Sequence, residues 1–145
     1  MPACRILLVA HAPLATALKA CATHVLAELA QDMLTLDVQP THDTAWGLAQ
    51  APALLGASPA PVLLLTDVVG ATPYHVACAL QQWCSARGIA AQVLTGANLP
   101  MLLRSLSYRH EALPVLLERA QSGGVQGIVA TPGAAPSPSP ASASA

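Results

Sequence analysis

Two short apolar runs, Cys4 to Ala10 (CRILLVA) and Pro61 to Thr66 (PVLLLT), constrain this chain more than any other feature. Runs of this length without polar alternation fit strands buried on both faces, and such strands need helices above and below them. The first run stops at His11. After the His11-Ala12-Pro13 break, Leu14, Leu18, Cys21, Val25, Leu26 and Leu29 recur at helical spacing, which predicts a helix packed on a sheet. Met33 to Val38 reads as a second strand, and Thr41 to about Leu55 as a second helix capped by Thr41 or Asp43. Thr72 followed by Pro73 fits a cap and first turn for the helix marked by Val76, Leu80, Trp83 and Cys84. Ala90 to Thr95 reads as a strand, and Gly96-Ala97-Asn98 leads to a helix that Pro100 opens and that runs to about Tyr108. Pro114 to Gln121 predicts a last helix, with Gly123-Gly124 as its stop and Val125 to Ala130 (VQGIVA) as a short final strand.

Strands alternating with helices imply an α/β fold, a doubly wound and mostly parallel sheet with helices on both faces and right-handed crossovers. Ligand chemistry in such folds collects beyond the carboxyl ends of the strands, near the point where strand order reverses. His11, Asp67 and Asn98 each follow a predicted strand and are the candidates for that place.

Composition removes several function classes. Aromatics make up 3% of the 145 residues, charged residues 9%, and the formal charge is -1. Lys19 is the only lysine, so no basic stripe can neutralise a phosphate backbone, and nucleic acid is excluded as a partner. Cys4, Cys21, Cys78 and Cys84 form no C-x-x-C pair and no cluster at zinc spacing, and read as small buried thiols in a reducing compartment. Arg5 followed by an apolar run imitates a secretory signal, but His11 and Pro13 interrupt it and no membrane-length stretch exists, which points to the cytoplasm. No P-loop, dinucleotide fingerprint or nucleophile elbow occurs. A receiver domain would need acidic residues after the first strand and a late lysine, and has neither.

The residues that remain suit one chemistry. Neutral imidazole is a nucleophile near pH 7 because its unperturbed pKa is about 6.5, and a phosphoryl group placed on it stays reactive. For one ring nitrogen of His11 to attack, the other should hold the proton, and Asp67 is placed to accept that N–H. The start of the helix near Pro73, with the Thr72 hydroxyl, can supply donors to the phosphoryl oxygens, and no metal or cofactor is needed. The alternative is that His11 is a polar loop residue and Asp67-Val68-Val69-Gly70 an ordinary turn. His75, one turn into its helix, is close enough to line the site; His24, His42 and His110 read as solvated, capping or helix-entry residues.

The blocks ILLVAHAPLATAL, LLLTDVVGATPYHVA and TGANLPMLLRSL together resemble the enzyme IIA domain of the mannose/fructose/sorbose-type sugar phosphotransferase system. The resemblance covers Cys4 to about Ala130, giving a domain over 1–130 and a disordered Ala/Ser/Pro tail over 131–145. It implies that His11 is phosphorylated, that Asp67 is its hydrogen-bonding partner, and that Thr72 with Gly70 and Ala71 contacts the phosphate. It places Pro13, Asn98, Leu99, Pro100, Met101 and His75 as site wall or partner contact. It implies phosphate arriving from HPr and leaving to a IIB-type protein, membrane association only through a transporter complex, and a homodimer exchanging an antiparallel last strand, Val125 to Ala130. Ala12, Ala71 and His75 replace residues usual in the family, two glycines and an asparagine. Two functions stay open, a transport-linked phosphoryl carrier and a regulatory protein whose His11 phosphorylation state controls a partner without moving sugar.

Overall fold

The computed structural model describes residues 2–136. Its elements alternate as the apolar runs require: β1 (Arg5–His11), α1 (Leu14–Val25), α2 (Ala27–Ala30), β2 (Leu34–Val38), α3 (Thr44–Ala49), α4 (Ala51–Leu55), β3 (Val62–Thr66), α5 (Thr72–Ser85), β4 (Ala91–Leu94), α6 (Leu99–Ser107) and α7 (Leu113–Gln126). The strands form one parallel sheet in the order β2-β1-β3-β4. No helix of the described residues is long and apolar enough to cross a membrane.

The unbroken apolar character of β1 and β3 is explained by two cores, one on each side of the sheet. Ile6, Leu8, Leu63 and Leu65 pack with Ala15 and Ala22 of α1, Leu102 and Leu106 of α6, and Leu116 of α7. Leu7, Val9 and Leu64 point the other way, against Ala51 and Leu55 of α4 and Val76 and Leu80 of α5. Each such fully buried leucine contributes about 1.5 to 3 kcal/mol relative to an exposed one. Arg5, the one charge in the first run, sits at the strand entry, where its guanidinium donates to the carbonyls of Leu55 and Ala60. Small residues on α1 let that helix lie close to the sheet in a chain poor in aromatics.

Several sequence expectations are corrected. The first helix breaks at Leu26 into α1 and α2, and the second breaks at Gln50 into α3 and α4. Asp43, not Thr41, caps α3, accepting the Trp46 N–H at 2.8 Å. Ala71, not Thr72, is the N-cap of α5, so Thr72 is its first helical residue. Cys4 and Cys84 are buried thiols, and burial pushes both up from the usual cysteine value, but Cys21 is exposed and Cys78 half-buried.

The largest correction is at the carboxyl end. Gly123-Gly124 do not stop α7, which runs through them to Gln126, although each glycine costs a helix about 1 kcal/mol. They are there for close approach: a Cβ at Gly123 would lie 2.7 Å from Arg104 Cβ, and one at Gly124 would lie 2.9 Å from Met101 Cε. Packing of α7 on α6 overrides propensity. Val125 to Ala130 is accordingly not a strand in this chain: its first two residues end α7 and the rest pair with no strand among the described residues. Val125, Ile128 and Val129 are left exposed, because nothing in the single chain is positioned to cover them. Of the expected tail, residues 131–136 carry no regular structure and are exposed, and the rest lies outside the described residues.

Candidate functional site

Strand order reverses between β1 and β3, since the chain goes from β1 outward to β2 and later returns to the other side of β1. His11 is the last residue of β1, and Asp67 follows the end of β3, so the topology alone brings them to one end of the sheet. The His11 backbone N–H donates to Asp67 Oδ2 at 3.0 Å, and the His11 ring places Nδ1 2.7 Å from the same oxygen. Asp67 Oδ1 accepts the Val68 N–H at 3.0 Å. The His11 side chain is 55% exposed, whereas that of Asp67 is 9% exposed.

Burial acts most strongly on the Asp67 carboxyl and by itself would raise it. The His11 ring hydrogen bond, the His11 and Val68 backbone N–H groups and the nearby imidazole charge outweigh burial, holding Asp67 below the usual aspartate value. Asp67 is therefore an ionised acceptor at neutral pH, and the hydrogen between the two residues belongs to His11 Nδ1. The lone pair of a neutral His11 ring is then on Nε2, at the exposed side of the pair.

His11 opens on a cavity of about 310 Å³, lined also by Ala12, Val38, Gln39, Pro40, His42 and Thr72. A larger hollow of about 480 Å³, lined by residues such as Pro52, Ser58, Trp83 and Arg87, gathers around the α4–β3 connection and the end of α5. The smaller one is the candidate site, because it holds an imidazole with an uncommitted nitrogen at the switch point. Thr72 brings the first turn of α5 to it, where backbone N–H groups have no helical partner and the helix end favours negative charge. Gly70 makes the turn into α5 with φ of 86°, which only glycine adopts without strain, and His75 reaches back so that its Nε2 lies 3.1 Å from the Gly70 carbonyl. Ala71 takes an ordinary extended conformation (φ −86°, ψ 170°), so its methyl group strains nothing in this turn.

The other residues named from the sequence divide between this cavity's edge and elsewhere. Pro13 is the exposed N-cap of α1, next to Ala12. Asn98, Pro100 and Met101 turn away, toward α7: Asn98 accepts the Met101 N–H at 2.9 Å and donates to the Gly124 carbonyl at 3.1 Å. Asn98 and Met101 line a separate hollow with Gly96, Gln121 and Ile128.

Two residues escaped sequence reasoning. Asp37 caps α1 from the neighbouring strand, accepting the N–H groups of Ala15 and Thr16 and the Thr16 hydroxyl. Its signal was present, as the one charge in LTLDV at a position whose side chain alternates toward α1. His42 lines the His11 cavity, and its sequence position before a helix gave no hint of that, because the loop after β2 folds back over the sheet end. Thr66, one residue before Asp67, buries a hydroxyl with no hydrogen-bond partner.

The family EIIA-man, described as the fructose IIA component of the phosphotransferase system (PTS), matches residues 5–120. The chain belongs to this family. The match takes in β1 through most of α7 of this mannose-type IIA component, and with them His11, Asp67, Thr72 and Asn98. Comparison with curated proteins gives no match. Among solved structures, the mannose/sorbose-specific IIA subunit from Enterococcus faecalis is similar with a TM-score of 0.77 at 22% identity, over 94% of this chain and 100% of that one. Component EIIA from Streptococcus agalactiae gives 0.76 at 22% identity, over 87% and 95%. A sigma-54 interaction domain protein from Enterococcus faecalis gives 0.70 at 13% identity, over 86% and 93%. These likenesses establish the fold, an all-parallel α/β sheet shared with IIA components.

Proposed function

We propose that this IIA component is a histidine phosphocarrier, accepting a phosphoryl group from phospho-HPr on His11 Nε2 and passing it to a IIB-type partner in the cytoplasm. The observation that carries this is the exposed His11 ring with Nδ1 held 2.7 Å from the ionised Asp67, which leaves Nε2 as the free nitrogen of a residue that lines the cavity. Attack by Nε2 forms the new N–P bond as the bond from phosphorus to the donor breaks. The Nδ1 proton stays with the pair, and Asp67 offsets the positive charge that the ring gains. Thr72 and the start of α5 receive the phosphoryl oxygens, consistent with the dependence of phosphoryl transfer on positioning and charge stabilisation. Exposed Val68 and Val69, in the loop just after Asp67, offer an apolar surface for the docking of both partner proteins.

A homodimer is part of this reading, supported by exposed Val125, Ile128 and Val129 after α7. Regulation without sugar transport is the second reading, favoured by the structural likeness to a sigma-54 interaction domain protein. The test is incubation with enzyme I, HPr and labelled phosphoenolpyruvate, followed by locating the label. Label on His11 that moves to a IIB protein supports the carrier, label that stays on His11 in the presence of IIB proteins supports regulation, and no label on His11 overturns both.

A further inference from the structure

We propose that His42 is a second imidazole of the phosphoryl site, donating its Nε2–H to an oxygen of the phosphoryl group on His11. The inference rests on the phosphocarrier reading above and adds a residue to it. His42 accepts the Gln39 backbone N–H on Nδ1 at 3.0 Å, so Nδ1 is a bare acceptor and the neutral ring carries its hydrogen on Nε2. The ring is held as well as oriented: it stacks on Trp46 with centroids 3.5 Å apart and planes 10° from parallel. Trp46 lies in the first turn of α3, where Asp43 accepts its backbone N–H. A side chain with two such restraints loses little further freedom when it donates a hydrogen bond.

The remaining nitrogen has nothing to bond among the described residues, and the ring lines the same cavity as His11 and Thr72. A phosphoryl group arriving on His11 brings acceptor oxygens and negative charge into that cavity. Thr72 and the first turn of α5 are donors from β3's side of the sheet, and His42 supplies one from the loop after β2. During transfer the N–P bond to His11 forms while the donor's bond to phosphorus breaks, and His42 keeps its proton throughout. It touches the moving group and exchanges nothing with it.

Removing one preorganised donor to developing charge costs about 100-fold to 1000-fold in a closed active site, and this cavity is open to solvent, so about 10-fold to 100-fold is expected here. The experiment measures transfer from phospho-HPr in the full chain for wild type, His42→Ala and His42→Gln, across HPr concentrations. His42→Ala should lower the maximal rate by that factor with little change in the HPr concentration at half-maximum, and His42→Gln, which keeps a donor of similar reach, should recover most of it. Both variants lose the aromatic stack on Trp46, and the wild-type Nε2–H signal described next separates donation from packing. Imidazole proton–nitrogen spectra of wild type should show His42 Nε2–H shifting when His11 is phosphorylated. Wild-type rates in His42→Ala, or equally slow Ala and Gln variants with an unmoved His42 signal, overturn the assignment while leaving His11 as carrier. Wild-type protein that takes no label on His11 overturns the carrier reading itself and this inference with it.

Discussion

The loop after β3 and the loop after β4 leave the same end of the sheet, and each carries a polar residue, Asp67 or Asn98, ahead of the next helix where ligands gather in such folds, yet only one is chemically open. In the first, Asp67 spends its carboxylate on the His11 ring and two backbone N–H groups, and that arrangement leaves an imidazole nitrogen free at the surface. In the second, Asn98 spends both ends of its carboxamide inside the protein, on the Met101 N–H and the Gly124 carbonyl. The two loops are also tied together, since Gly96 and Ala97 donate to the carbonyls of Asp67 and Thr66. A polar side chain after a strand marks a reactive site when satisfying it leaves another group unsatisfied. It marks architecture when its bonds close on themselves.

The sharpest break in that comparison comes at His11. His11→Ala should reduce phosphate acceptance to background while the protein stays folded at a cost of about 1 to 2 kcal/mol, because the exposed ring adds little packing but its loss leaves the Asp67 carboxylate one hydrogen bond short. Equal labelling of the variant and wild type from phospho-HPr would remove the first loop's claim to be the reactive one.

Asp67→Asn comes next. It keeps the shape and loses the charge that fixes the Nδ1–H tautomer, so transfer should slow by about 30-fold to 1000-fold, or about 2 to 4 kcal/mol, with HPr binding nearly unchanged. The pH dependence of stability follows from the same bonds. The folded carboxyl titrates below its ordinary value, so the unfolded chain binds the proton more readily. Its stabilisation is fully present above the usual aspartate value of about 4 and is lost as pH falls through the lower folded value. Acid unfolding followed by circular dichroism should therefore show a shallower decline below about pH 4 for Asp67→Asn than for wild type. A parallel decline in the two proteins would mean that Asp67 is held no more tightly than a surface carboxylate.

What the sequence made legible follows the same division. The strands of the centre, His11 and Asp67 were readable because buried parallel strands announce themselves as short apolar runs and the switch point follows from their alternation. The end of α7 was misread because glycine weakens a helix locally, and only the neighbouring α6 reveals that Gly123 and Gly124 are spaces for Arg104 and Met101. Asn98 reads from the sequence as site wall or partner contact, and its bond to the Gly124 carbonyl, 26 residues away in the chain, is visible only in the fold. His42 was passed over for a similar reason: no local pattern tells that the loop after β2 folds toward His11.

The second loop should respond in stability and not in transfer. Gly123→Ala drives a methyl to 2.7 Å from Arg104 Cβ and 2.8 Å from its Cγ, so α7 must shift from α6. Overpacking of this kind costs about 1 to 3 kcal/mol, and the gain in helix propensity offsets about 1 kcal/mol of it. Denaturant titration should show the net loss, with phosphate acceptance per folded molecule unchanged. Increased stability would mean that the two helices pack with more slack than these distances allow.

Asn98→Ala is the smallest and most discriminating case. Its oxygen caps α6 through the Met101 N–H, a role worth about 1 kcal/mol at helix starts. Its amide nitrogen serves the opposite need at the end of α7, where the last carbonyls have no helical donor. Ile128 bonds to Val125 in place of Gly124, and Asn98 supplies the donor that Gly124 then lacks. One side chain thus closes the start of one helix and the end of another, and truncating it should cost about 1 to 2 kcal/mol by denaturant titration. Asn98→Ser retains the cap but is too short to reach Gly124, so its loss should be about half as large. Transfer from phospho-HPr should be unchanged in both variants, because neither bond touches the His11 cavity. If Asn98→Ala slowed transfer tenfold at unchanged stability, the second loop would belong to the reactive site after all, and the distinction between open and closed polar residues would fail at the position where it was drawn.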